Sequence, residues 1–422
     1  MYDQICNTLT ENGARLIYTV NRAVAATLKR IESEYPSFHG EISLNEKIAF
    51  ELALTGAYSS KRTACLFSTE SIYEAMDPLM SSAYIGVIGG FLIVCIKETE
   101  EEITPLGLFS KVPVIVTESE EDFKRAIAFG YGISEKYEIP VIVQVAADAA
   151  AGAEGRRTKE KEKDSSITPN SELRTPNSKG DIAHFEKNPS RWAATPKFRY
   201  QLHKALNEKI EKIREEFETF EGNVKTIKGK TGIITDRHSG LEFFDDDASL
   251  LFVSTVHPLP LNLINGFIAQ MDEVFISEGP YPAIELQIHD RSKIVSAKMG
   301  SEPKRAKPPE TMYGFEVVRD TLGPASSINM AHGIKKTEPE RKILAITFED
   351  FFFHSGMPAF VNTLYNASSY VLLILGDKRE EEIKKILAGF GFQNTFHIDN
   401  FAEIGRFKDA KELTVMFGKG II

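Results

Sequence analysis

Three stretches of this chain combine residue types and spacings that can do chemistry. The first is Ser43-Leu44-Asn45-Glu46-Lys47, which runs into a helical pattern. From spacing alone the simplest reading is a capping box, Ser43-x-x-Glu46, in which the glutamate returns a hydrogen bond to the serine backbone. The second is Asp77-Pro78-Leu79-Met80-Ser81-Ser82-Ala83-Tyr84, followed by Gly86, Gly89 and Gly90. Asp77-Pro78 reads as a turn, and the glycines as sites of close backbone packing, since their spacing matches no phosphate loop. The third is Phe352-Phe353-His354-Ser355-Gly356-Met357-Pro358-Ala359, preceded by Glu349-Asp350 at a strand end. His354 falls at a strand-to-helix turn, where α/β sheets usually contact ligands, although a lone histidine among apolar residues is more often structural. Cys6, Cys65 and Cys95 are far apart, which excludes a self-contained iron–sulfur cluster and a disulfide framework.

The elements around these stretches follow from periodicity. Residues 1–150 alternate helical patterns (Gln4–Gly13, Glu46–Ala57, Ser119–Tyr137) with nearly all-apolar runs (Thr63–Phe67, Gly90–Ile96, Pro113–Thr117, Pro140–Val145), as strands covered on both faces require. Alternation of this kind predicts an open, mostly parallel α/β sheet. Residues 151–190 are polar and rich in Pro, Ser and Asn, and read as a mobile loop. A bridging segment, 191–223, carries an amphipathic helix over Phe198–Glu221. Residues 224–300 predict a small α/β domain with strands at Gly232–Thr235, Leu250–Thr255 and Glu273–Ser277. Residues 301–422 open on a linker, Met299–Pro309, and repeat the α/β pattern: strands Lys342–Phe348 and Tyr370–Leu375, helices Pro358–Tyr365 and Glu380–Gly389. The run Lys378–Glu382 reads as a solvated helix face.

With 422 residues, 42% of them hydrophobic, the chain has material for several cores. Its formal net charge of −10 argues against a general nucleic-acid binder. No apolar run reaches the roughly 18 residues of a membrane span, and the N-terminus lacks a signal layout. The expectation is a reduced, cytoplasmic, multi-domain protein with neither nucleic acid nor membrane as partner.

The order of motifs resembles that of the large subunit of indolepyruvate:ferredoxin oxidoreductase, a thiamine-diphosphate enzyme of the 2-oxoacid:ferredoxin oxidoreductase group. The resemblance rests on SLNEKIAFELALTGAYSSKR, DPLMSSAYIGVIGGFLIV, HFEKNPSRWAATPKFRYQLH, HPLPLNLINGF, VFISEGPYPAIELQI, SSINMAHGIKK and FFFHSGMPAFVNTLYN, and spans most of the chain. It implies two open sheets of thiamine-diphosphate-binding type with a small α/β domain between them. The first block would bind the pyrimidine ring and the third the diphosphate. Glu46 matches the activating glutamate, whose carboxylic acid stabilises the imino tautomer of the cofactor that removes the thiazolium proton. His332, His354 and Gly356 match positions beside the cofactor, and Glu349 and Asp377 fall where Mg²⁺ would be held. The partners implied are a second copy, or a second oxidoreductase subunit carrying the redox centres.

The chain also departs from that pattern. Phe348-Glu349 replaces a Gly-Asp pair, and Asp377 replaces an Asn ligand. Lys378–Glu382 replaces a stretch bearing Thr and Gly, where three glutamates would repel a diphosphate. Ile17–Ala23 stands in place of a glycine- and proline-bearing turn, and the acidic Glu98–Glu102 in place of a polar Ser-Ser-Gln-Asn segment. Pro308–Gly314 stands in place of a paired-cysteine turn, and no cluster-bearing tail is expected after Ile422. Three functions remain open: oxidative decarboxylation of an aryl or branched 2-oxoacid, a catalytically inactive paralogue acting as structural or regulatory partner, and non-oxidative decarboxylation.

Overall fold

The computed structural model describes residues 2–98, 103–146, 188, 192, 196–237, 241, 247–279, 281–295, 311–320 and 322–419. The segment 151–190 and the linker Met299–Pro309 lie outside them, apart from Asn188. The chain forms two compact units, Met1–Glu302 and Pro303–Ile422. Among the described residues it is an α/β protein with three mostly parallel sheets.

The first unit holds two of these sheets. Strands β1 (Leu16–Thr19), β2 (His39–Ile42), β3 (Thr63–Ser68), β4 (Phe91–Lys97), β5 (Val114–Thr117) and β6 (Val141–Ala146) are parallel. The second sheet comprises β7 (Val224–Thr226), β8 (Thr231–Thr235), β9 (Ser249–Phe252), β11 (Glu273–Ser277) and β12 (Ile294–Val295). Between β9 and β11 the chain leaves this sheet. Strand β10 (Thr255–His257) adds instead to the edge of the first, antiparallel to β5, giving the order β10-β5-β6-β4-β3-β1-β2. The predicted single strand Leu250–Thr255 is thus two strands in different sheets. Ser254 makes the crossing: its carbonyl accepts from Val116 N (2.7 Å) and its Oγ donates to Val116 O (2.6 Å).

Helices α1 (Tyr2–Glu11), α2 (Ala25–Glu34), α3 (Glu46–Tyr58), α4 (Met76–Ile85), α5 (Thr104–Ser110) and α6 (Glu120–Tyr137) accompany the first sheet. Ser119 caps α6 by accepting from Asp122 N, as an N-terminal serine should. Asp77-Pro78 is not a turn but the first turn of α4, where proline lacks only a donor that would go unused. The glycines after α4 do serve close packing. A Cβ on Gly89 would lie 2.2 Å from Lys61 O, and one on Gly90 2.6 Å from the Tyr131 ring. The amphipathic helix α7 (Pro196–Phe217) buries Leu206, Ile210, Ile213 and Phe217 against the first core and stops short of the predicted Glu221. Helix α8 (Leu261–Gln270) packs Ile264, Phe267 and Ile268 into the core of the second sheet.

The second unit is a six-stranded sheet ordered β13-β14-β15-β16-β18-β17, with β13 (Thr311–Met312) antiparallel to β14 (Phe315–Arg319). Strands β15 (Ile343–Phe348), β16 (Val371–Leu375), β17 (Thr395–Ile398) and β18 (Thr414–Gly418) run parallel. Helices α9 (Ser326–Thr337), α10 (Met357–Tyr365) and α11 (Glu380–Gly389) cover one face through Ile328, Phe360, Ile383 and Leu387, while Ile404 packs on the other.

Candidate functional site

In the first unit, Glu46 is the first residue of α3. The helix is capped by Asn45, whose side-chain oxygen accepts from Ile48 N at 2.9 Å. The expected Ser43–Glu46 capping box is therefore absent. Ser43 lies two residues ahead of the cap, with its N–H spent on Thr19 O as the chain leaves β2. Released from that role, Glu46 turns inward: it is 4% exposed, and its Oε2 is shut off from solvent. Neighbouring Lys47 points outward and pairs with Asp77 at 2.7 Å, tying α3 to α4. The three cysteines are core residues of this unit. Burial pushes the Cys6 thiol up to about 12, leaving it unreactive at neutral pH.

His257, the first residue of the HPLPLNLINGF stretch, ends β10 with both ring nitrogens buried and 7% of its surface exposed. Burial, reinforced by the Arg214 charge, holds its pKa down at about 4.

The other expected site residues lie in the second unit. His354 and Gly356 sit in a π-helical turn, Phe352–Gly356, ahead of α10. Both ring nitrogens of His354 are shut from solvent. Gly356 faces α9: a Cβ there would meet Phe352, Ala325 and Ile328 at 3.1–3.3 Å, so packing of α9 suffices to explain it. His332 is half-buried on α9, and its Nδ1 has no hydrogen-bond partner among the described residues. Burial and the Lys336 charge one turn along hold its pKa below the usual imidazole range.

Glu349 and Asp377 flank the carboxyl ends of β15 and β16. In the parallel register Phe348 pairs with Leu375, so Glu349 leaves β15 opposite Gly376. The Glu349 carboxylate lies in the turn after β16: its Oε2 accepts from Lys378 N at 3.2 Å and Arg379 N at 3.0 Å. Asp377 is exposed and lines a cleft with Lys378, Glu380, Glu381, His397 and Lys419. Burial alone would raise the Glu380 carboxyl, but hydrogen bonds from Lys384 and His397 outweigh it and hold it below the usual range. No group of three or more metal-ligating side chains occurs among the described residues.

Arg379 was missed within the supposed solvated run. It is only 7% exposed: its guanidinium lies 3.2 Å over the Phe353 ring and pairs with Glu382 (3.0 Å) and Asp350 (3.6 Å). Glu381, by contrast, is exposed, as a charge run predicts. Asp320 was missed as well; it accepts from Ser327 N (2.9 Å) and Thr347 Oγ1 (2.7 Å), anchoring α9 to β15. Neither residue carries a local signal, because each is defined by partners distant in sequence.

A magnesium-bound diphosphate needs free amides, approach to glycine backbone and hard oxygen ligands. Here the amides of Lys378 and Arg379 already serve a carboxylate, the Gly376 face is covered by the same side chain, and Arg379 is paired internally. These residues do not fit that group.

No family model matches the chain. Among curated proteins, the indolepyruvate oxidoreductase subunit IorA of Pyrococcus abyssi is 24% identical over 79% of this chain and 67% of its own length. IorA of Archaeoglobus fulgidus is likewise 24% identical, over 80% of this chain and 66% of its own. The chain resembles the large subunit of indolepyruvate oxidoreductase. It spans about two thirds of the length of these IorA relatives. A solved 2-oxoglutarate:ferredoxin oxidoreductase from Magnetococcus marinus superposes with a TM-score of 0.50 at 15% identity, covering 70% of this chain and 61% of that one, a likeness of fold alone. No helix among the described residues is long and apolar enough to cross a membrane.

Proposed function

We propose that this chain is an IorA-like subunit of a 2-oxoacid oxidoreductase assembly that serves as a non-catalytic structural or regulatory partner. The relatives support the assembly, since each is named as a subunit of indolepyruvate oxidoreductase. The observation that carries the non-catalytic role is the Glu349 carboxylate on the amides of Lys378 and Arg379, where a metal-bound diphosphate would need them. The partner is a second subunit holding the redox centres, or a second copy of this chain.

A second reading, an active thiamine-diphosphate and Mg²⁺ enzyme decarboxylating an aryl or branched 2-oxoacid, is favoured by Glu46. A buried carboxyl at a helix start suits hydrogen bonding to a pyrimidine nitrogen. In this reading Glu46 and His354 are catalytic, His332 and Gly356 line the cofactor, and Glu349 and Asp377 hold the metal.

Titration calorimetry of the full chain with thiamine diphosphate and Mg²⁺, alone and with a co-expressed small subunit, separates the two. The non-catalytic role predicts co-purification with that subunit and no cofactor binding up to millimolar concentration. Submillimolar binding that disappears in Glu349→Ala establishes the enzyme instead.

A further inference from the structure

We propose that the turn Gly376–Arg379 is an anion cradle which the chain fills in cis with the Glu349 carboxylate, closing it to an external phosphate. This deepens the reading above and rests on the same turn.

Three independent features converge on the carboxylate. Register is the first: Phe348 pairs with Leu375, which delivers the next side chain to the turn. Shape is the second. A Cβ on Gly376 would lie 2.2 Å from Glu349 Oε2 and 2.6 Å from its Cγ, so only glycine leaves room for this side chain. Charge is the third. Two amides at the start of the ten-residue helix α11 converge on one oxygen, and Arg379, the N-cap residue, supplies no side-chain cap of its own. A helix N-terminus favours an anion, and a carboxylate accepting two amides makes charge-assisted hydrogen bonds. The buried cation beside it, Arg379, is held by Phe353, Glu382 and Asp350. The turn therefore keeps the donors an external phosphate would need, and spends them on a residue 30 positions away.

An ordinary helix cap differs from a filled anion cradle in what happens when the cap is removed. Water replaces a cap without regard to salt, whereas a vacated cradle takes up an added anion. The test uses the full chain as wild type, Glu349→Ala and Glu349→Gln, melted in acetate, phosphate or pyrophosphate, each against chloride of equal ionic strength. The expected result is a lower melting temperature for Glu349→Ala in chloride, most of it regained in acetate or phosphate, with the wild type unmoved. Anion-insensitive melting of a folded Glu349→Ala overturns the cradle, and so does a pyrophosphate response of the wild type equal to the variant's. Should the alanine variant not fold in any anion, Glu349→Gln decides. Its uncharged carboxamide holds the amides more weakly, so phosphate should raise its melting temperature, and the absence of that rise sinks the proposal. The non-catalytic reading fails on a different result, cofactor binding by the wild-type chain.

Discussion

The two units hold two contrasting kinds of polar site. The first encloses Glu46 and His257 in its interior, at 4% and 7% exposure, with their local helix or strand satisfied by other residues. In the second, Glu349 and Arg379 sit at strand ends and are paired, the Glu349 carboxylate with the amides of Lys378 and Arg379 and the Arg379 side chain with Glu382 and Asp350. Enclosing the His257 ring costs its charged form desolvation, so it makes stability depend on pH. Pairing across a turn makes it depend on side-chain shape and on anions.

The largest expected effect breaks the first half of that contrast. The folded pKa of His257 lies near 4, below its ordinary value of 6.5. The neutral ring thus contributes full stability above about pH 6.5, and that contribution is lost as pH falls towards 4. The loss is about 3 kcal/mol, read as a falling urea midpoint that His257→Gln flattens. Next, Gly376→Ala should cost about 2–3 kcal/mol, because its Cβ expels Glu349 and strands two amides. Urea denaturation checks this, and a loss below half a kilocalorie per mole would show the side chain merely rotating aside. Glu349→Ala should cost about 1–2 kcal/mol by the same measurement. Asn45→Ala, which removes the cap of α3, should cost about 1 kcal/mol and sharpens the contrast by testing a purely local carboxamide.

Much of the fold was legible because many of its strands are apolar runs and the long helix α6 begins at a recognisable serine cap. Ser119, the run over β4 and the extent of α11 follow directly from composition. The misreadings share a cause, which is competition between neighbouring signals. Asn45 outcompetes Ser43 as the cap, so Glu46 shifts from the third helical position to the first and becomes free to face inward. Asp77-Pro78 carries turn residues that an α-helix also accepts in its first turn. The apolar run after β9 gives no hint that Ser254 switches sheets, because both sheets demand the same residues. Of the candidate site, residue identities were readable, but their use was not. That Glu349 meets the turn after β16 depends on the register of two strands, and that Arg379 is buried depends on Phe353, so no local window contains either fact.

The excursion of Thr255–His257 has a further consequence for how the first unit comes apart. By lying along Val114–Thr117, this short segment seals a border whose four residues are all buried. A fragment ending at residue 223 would bare that border as an unpaired apolar ribbon, the kind of margin on which other chains nucleate. This border therefore helps to join the two sheets of this unit, and proteolysis that removes Thr255–His257 should yield aggregates in place of two soluble halves.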